Sequence, residues 1–229
     1  MIFPGLKRFF ALLTVLYFSV FNAGADPVRG EFWIRDDQME ILPPQENQKS
    51  SEESSGRKER VLKELLEDAR WAFSGMIYGF SVSWTPPSGS RNVKEELTIS
   101  PLAQIPYGDS RMRVVSITRE NGFDYVLFEY NPDASQESRL EGWCSEAFPA
   151  SAGTAVIPGG EGSRREAMER AVKETLKAYL RVRDYNRPRE IRGRVAFTEF
   201  PQTGFAGGSV SATVRLRMDI EALRPYRVD

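Results

Sequence analysis

The 229-residue sequence predicts an α+β fold, an antiparallel sheet of about six strands with helices packed on one face. Three observations predict it. Apolar residues recur at three-and-four spacing in some segments and at spacing two in the segments between them, which separates helices from strands. Neighbouring strands are joined by short connections, which favours antiparallel pairing. The elements run helix, four strands, two helices, two strands, an order of segregated runs rather than strict alternation.

The first helix is expected from Lys58 to about Met76, where Val61, Leu62, Leu65, Leu66, Ala69, Ala72, Phe73 and Met76 form one apolar stripe. Ser74-Gly75 and Gly79 end it. The period then changes to two: Tyr78, Phe80, Val82 and Trp84 alternate with small or polar residues until Pro86-Pro87 stops the strand. A weaker strand spans Val93 to Ser100, with Leu97 and Ile99 on its inner face.

Arg111 to Thr118 and Phe123 to Tyr130 flank Asn121-Gly122, a strong short-range hairpin signal. With those two residues as the loop, Ile117 pairs with Val126, Val115 with Phe128 and Arg119 with Asp124, and the apolar pairs fall on one face. Asn131-Pro132 reads as a cap and first position of a short helix lined by Leu140, Trp143, Cys144, Ala147 and Phe148. A loop is expected from Pro149 to Gly162. Ser163 and Glu166 form a capping box for the next helix, whose stripe runs from Met168 through Ala171, Val172, Thr175 and Leu176 to Tyr179. Two strands finish the chain, Ile191 to Glu199 and the strictly alternating Ser209 to Ile220. The segments Arg60 to Trp84 and Arg164 to Phe197 each run from an Ala-, Leu- and Glu-rich helix into a strand with inward aromatic residues, a repeat of pattern rather than identity.

The beginning of the chain reads as an address. Lys7 and Arg8 precede an apolar run from Phe9 to Phe21, and Ala23-Gly24-Ala25 follow, the charged, apolar and small-residue order of a secretory signal. Residues 1–25 are thus expected to be a signal peptide cleaved after Ala25, touching the membrane only before cleavage and leaving the protein periplasmic or secreted. Residues 26–56 form an N-terminal arm with one strand, Glu31 to Arg35, and a disordered polar linker, because Gln45 to Gly56 has no apolar residue to offset its ordering entropy. Residues 57–229 are expected to be one α+β domain.

Composition narrows the chemistry. The chain has 31 basic and 32 acidic residues, one cysteine and no histidine. Without histidine there is no Ser-His-Asp or Cys-His catalysis and no zinc site built on imidazole. One cysteine forms no internal disulfide; Cys144 reads as a small buried residue on a helix. No catalytic residues, metal ligands or cofactors are assigned, and the balanced charge argues against nucleic acid as a partner. Paired carboxylates could run hydrolysis without histidine, but Glu95-Glu96 and Asp36-Asp37 carry no signature of it.

The sharpest site expectation concerns the last two strands. Matching their apolar faces pairs Val195 with Val214 and Ile191 with Met218, which sets Arg192 opposite Arg217 and Arg194 opposite Arg215. Four guanidinium groups on one sheet face ask for anionic partners, either carboxylates such as Glu95 or Glu96 and solvent, or an external anion. Arg164 to Arg194 holds 11 basic and five acidic residues, so this end of the chain is the more electropositive. Of the aromatic residues Trp71, Tyr78, Phe80 and Trp84, all but Trp71 lie on expected core faces. Two functions fit: a non-enzymatic exported module that binds an envelope partner, and an anion or ligand carrier using Arg192, Arg194, Arg215 and Arg217. A carboxylate-based hydrolase is the third and weakest.

Trp71 to Phe80, Trp84-Thr85-Pro86-Pro87 and Ile105-Pro106-Tyr107-Gly108-Asp109 resemble an uncharacterised group of exported spirochaete-type proteins, from about residue 60 to the end. The resemblance implies an exported location and no particular activity. The helix from Arg165 to Leu180 and its following strands are faintly similar to the helix-then-strands modules of small envelope lipoproteins and flagellar assembly proteins, although no lipid-attachment cysteine stands near the cut. That similarity implies a role in envelope assembly.

Overall fold

The computed structural model describes residues 26–35, 49–158, 163–181 and 189–224. The expected signal peptide and residues 36–48 therefore lie outside the described residues. The described chain is α+β with two antiparallel sheets. Its elements are β1 (Val28–Arg35), α1 (Lys49–Ile77), β2 (Phe80–Thr85), β3 (Glu96–Pro101), β4 (Met112–Glu120), β5 (Phe123–Tyr130), α2 (Ala134–Cys144), β6 (Ala150–Ile157), α3 (Arg164–Arg181), β7 (Glu190–Phe197), β8 (Gln202–Ala206) and β9 (Ser209–Arg224).

The larger sheet runs β3-β2-β7-β9-β6, with β8 also paired to β9. Its inner face carries Phe80, Val82, Trp84, Ile191, Val195, Phe197 and the alternating set from Val210 to Met218, all buried. Helices α1 and α3 pack on that face. Gly153 of β6 lets α3 approach closely, since a Cβ there would lie 2.4 Å from Thr175 Oγ1. The expected arrangement of helices on one face of an antiparallel sheet holds for this sheet. The strands of the two helix-to-strand segments, β2 and β7, lie side by side and antiparallel, with β3 and β9 on their outer edges.

The smaller sheet, β1-β5-β4, is built partly from the expected arm. All eight residues of β1 pair with β5, and Phe32, Trp33 and Ile34 are core. The arm belongs to the fold because those three side chains have somewhere apolar to go. This second sheet covers the opposite side of α1: Phe73 meets Tyr130 and Phe200, while Trp71 meets Phe80 and Phe197 of the larger sheet. Residues 71–77 are consequently buried all round, not along one stripe. The helix also starts at Lys49, nine residues before its expected beginning and inside the segment expected to be disordered.

The Asn121-Gly122 turn forms as expected, with φ of 51° and 80°. Ile117 pairs with Val126 and Arg119 with Asp124, but a bulge at Val115 puts Val114, not Val115, opposite Phe128. Two strands escaped the sequence reading. The expected loop after Pro149 contains β6, whose Ala-Ser-Ala-Gly-Thr-Ala sequence has few bulky side chains, and β8 is a short Thr- and Gly-containing segment. Asp133 rather than Asn131 caps α2, in a reciprocal capping box with Gln136.

Candidate functional site

The 16 residues of β9 explain where the four arginines stand. One edge of the strand pairs with β6; the other pairs with β8 over its first part and with β7 from Leu216 onward. Gly207-Gly208, both at positive φ, turn β8 into β9. The hairpin expected between the last two strands is thus a hairpin of β8 and β9, and Val195 faces Met218 instead of Val214. The slide is four residues from Gly193 onward and five at Ile191, which faces Leu223 instead of Met218 because a bulge separates Arg192 from Gly193, so every expected partner changes. The expected pairs of Arg192 with Arg217 and Arg194 with Arg215 do not form.

Each of the four has its own partner. Arg192 pairs with Glu190, Arg194 with Asp219 and Glu221, and Arg215 with Glu199. Arg217 donates to the carbonyls of Phe148 at 2.7 Å and Cys144 at 3.3 Å, closing the C-terminal end of α2 where backbone acceptors are free. The neutralising carboxylates come from β7, β9 and the β7–β8 bend. Glu95 turns to α3, accepting from Lys173 at 2.8 Å and from the Trp84 indole at 3.2 Å.

Arg194 also lines a cavity of about 330 Å³, the more spacious of two concavities described here. Its other walls are Tyr78, Leu102 and Ala103, then Arg139, Gly142 and Trp143 of α2, and Phe148. The cavity lies at the corner where α1 runs into β2. Gly79 makes this possible twice over. Its φ of +79° suits glycine, and a Cβ there would sit 2.9 Å from the Trp143 ring and 2.8 Å from the Val195 carbonyl. Phe148 stacks against Trp143 with ring centroids 5.0 Å apart.

The walls are held from behind. The Ser74 hydroxyl accepts from Ile105 N–H at 3.0 Å, and Arg70 donates to the Ile105 carbonyl, fixing the segment after β3 to α1. Leu102 N–H donates to the Gly79 carbonyl at 3.0 Å. On the α2 side, Gln136 Nε2 donates to the hydroxyls of Tyr78 at 2.6 Å and Tyr130 at 3.0 Å, while Gln136 Oε1 accepts from Asp133 N–H and Arg111. Arg111 bridges Asp109 and Asp133. Burial pushes the Tyr130 phenol up to about 12, so it remains a hydroxyl able to donate to Asp109. A buried amide with this many partners locks the orientation of α2.

Arg139 is placed differently from Arg194, the other guanidinium of the cavity. It is exposed at the cavity, and its guanidinium carbon lies 5.9 Å from the Tyr78 ring centroid. Its neighbours one helical turn away are Ser135, Gln136, Gly142 and Trp143, none of them acidic. Among the described residues no carboxylate pairs with it.

The second concavity, about 50 Å³, is polar and lies between α1 and α3, lined by Glu67, Arg70, Trp71, Ser74, Gln104 and Arg165. Beside it the Asp68 carboxylate sits 3.3 Å from both Arg164 and Arg165, joining the two helices. Trp71, expected beside the apolar stripe, is core, with Arg165 over its indole at 4.3 Å. Cys144, expected buried, is exposed at the last position of α2. Asp36-Asp37 lie outside the described residues. The cavity itself was missed because its lining comes from five separate places in the chain. Gly79, read as the end of a helix, and Trp143, read as lining a short one, were the available signal.

A protein-family model matches residues 17–226, and the chain belongs to that family of uncharacterised proteins. An uncharacterised protein of Treponema pallidum (strain Nichols) is 23% identical over 171 residues, covering 72% of this chain and 70% of the relative. The similarity to a spirochaete protein agrees with the resemblance seen in the sequence. No solved structure matches.

Proposed function

We propose that the protein is an exported, non-enzymatic binding module of the cell envelope, released by cleavage after Ala25, and that its ligand occupies the cavity between α2 and the Tyr78–Gly79 corner. The observation that carries this reading is the cavity's construction. Three aromatic rings and Leu102 wall it, and a fully bonded amide and a glycine held at positive φ keep it open. Concave sites with apolar walls and a few placed polar groups are the usual form of a ligand site. Among the described residues the lining has no Asp, Glu, Ser, Thr or Cys side chain, which supports binding over turnover. The N-terminal signal pattern supports export, and the faint likeness to envelope modules supports placement there.

The test is retention of a small molecule. Purified protein spanning residues 26–229 is incubated with a small-molecule extract of envelope fractions, desalted and examined by native mass spectrometry beside Ala103→Trp, which fills the cavity from an exposed position. A mass adduct on the wild type that Ala103→Trp lacks is expected. Identical spectra for the two proteins would refute the assignment.

A further inference from the structure

We infer that the cavity takes a small organic anion, a carboxylate carried on an apolar alkyl or aryl body. This rests on the cavity being the ligand site proposed above and adds its chemistry. The argument begins with charge. The cavity's lining contains two guanidinium groups and no carboxylate. Arg194 is neutralised by Asp219 and Glu221, whereas the acidic residues nearest Arg139 on its helix, Glu137 and Glu141, stand two positions away and so on other faces, and no carboxylate lines the cavity among the described residues. Among the described residues the Arg139 guanidinium faces the ring of Tyr78 and no carboxylate. A guanidinium offered in this way presents a planar donor fork, which matches a carboxylate.

The remaining walls define the body of the ligand. Trp143, Phe148, Tyr78, Leu102 and Ala103 give an apolar surface beside the charge, so a purely inorganic anion would leave them wet, whereas an alkyl chain or ring would cover them. A volume of 330 Å³ admits a body of about ten non-hydrogen atoms, at the space a water occupies per atom. Arg217 supports the site without entering it, by tying Phe148 and the end of α2 to β9.

The experiment measures binding of octanoate, 4-phenylbutyrate, octanamide and octylamine by calorimetry and thermal shift, to wild type, Arg139→Gln and Ala103→Trp. Both substitutions fall at exposed positions, and circular dichroism confirms that each variant is folded. Saturable binding of the two acids is expected, with the amide and the amine at least about tenfold weaker, the usual weight of a charge-assisted hydrogen bond. Arg139→Gln should weaken octanoate by about tenfold or more, and Ala103→Trp should abolish its binding. Equal binding of octanoate and octanamide, or an affinity unchanged by Arg139→Gln, would overturn the anion assignment and leave the binding site standing. If none of the four compounds binds while the extract yields a ligand lost in Ala103→Trp, the ligand class is wrong and the cavity is right. Failure of both experiments removes both.

Discussion

Glycine 30 shows how much a single missing side chain can decide. It lies in β1 opposite Phe128, and a Cβ on it would fall 2.0 Å from the ring of Phe200. Phe200, in the bend between β7 and β8, enters between the two sheets to meet Phe32 and Phe73. Gly30→Val is therefore expected to lower unfolding free energy by about 1–3 kcal/mol, as overpacking does. Chemical denaturation checks this, and combining it with Phe200→Ala should cost less than the sum of the two single changes, because they share one space. Nothing in the local sequence Val28-Arg29-Gly30-Glu31 announces the contact, since the residue it answers to stands 170 positions away. The same holds for Asp68. Its carboxylate is legible as one polar residue on the first helix, but its two guanidinium partners come from α3. Asp68→Asn should remove the carboxylate that Arg164 and Arg165 share, which Glu64 and Glu169 offset only in part, and cost about 3 kcal/mol, measurable as a lowered denaturation midpoint.

Whole elements were legible when a single period ran through them. α3, with its stripe and its cap at Ser163, and β5, with its turn at Asn121-Gly122, stand where the pattern puts them. β6 and β8 were not legible, because small residues satisfy the ladder without producing a hydrophobic alternation. Missing β8 displaced the register of β7 on β9 by four residues, and by five beyond the bulge at Arg192, and with it the expected cluster of four arginines. The β8–β9 turn can be tested directly. Gly207 and Gly208 have φ of 57° and 74°, so Gly207→Ala and Gly208→Ala should each cost about 1 kcal/mol. The end strand β4 offers the opposite case. Val114, Val115 and Ile117 lie largely exposed on it, so Ile117→Lys should change the melting temperature very little.

At the scale of the whole molecule, the ion pairs set an acid limit. Asp109 and Asp133 are held below the usual carboxylate range by the Arg111 guanidinium, Asp124 by Arg119, Glu129 by Arg113 and then Arg29, and Glu190 by Arg192. The folded state thus binds protons less readily than the unfolded chain at these groups. Their stabilisation is present above the unfolded carboxylate range and is lost as pH falls through the folded values. Glu169, pushed upward by burial, works in the opposite direction and loses stability as pH rises through its range. With no histidine in the chain, no imidazole titration crosses neutrality. The melting temperature should be nearly level from about pH 6 to 8 and fall steeply below about pH 4. A melting profile that instead breaks near pH 6.5 would contradict this.

What the sequence by itself determined is whatever depends on neighbours along the chain: the α+β class, the amphipathic helices, the Asn-Gly hairpin and the absence of imidazole chemistry. The tertiary structure alone decided which strands lie beside which, because pairing depends on surfaces brought together from distant segments. It made β1 a wall of the core, buried the end of α1 on every side, and gave each arginine of β7 and β9 a partner. It also opened a cavity that leaves Arg139 free of carboxylates among the described residues. The expected arginine face and the observed cavity share Arg194. They differ because a sheet face follows from alternation, whereas a concavity requires a helix laid across the corner where two elements meet.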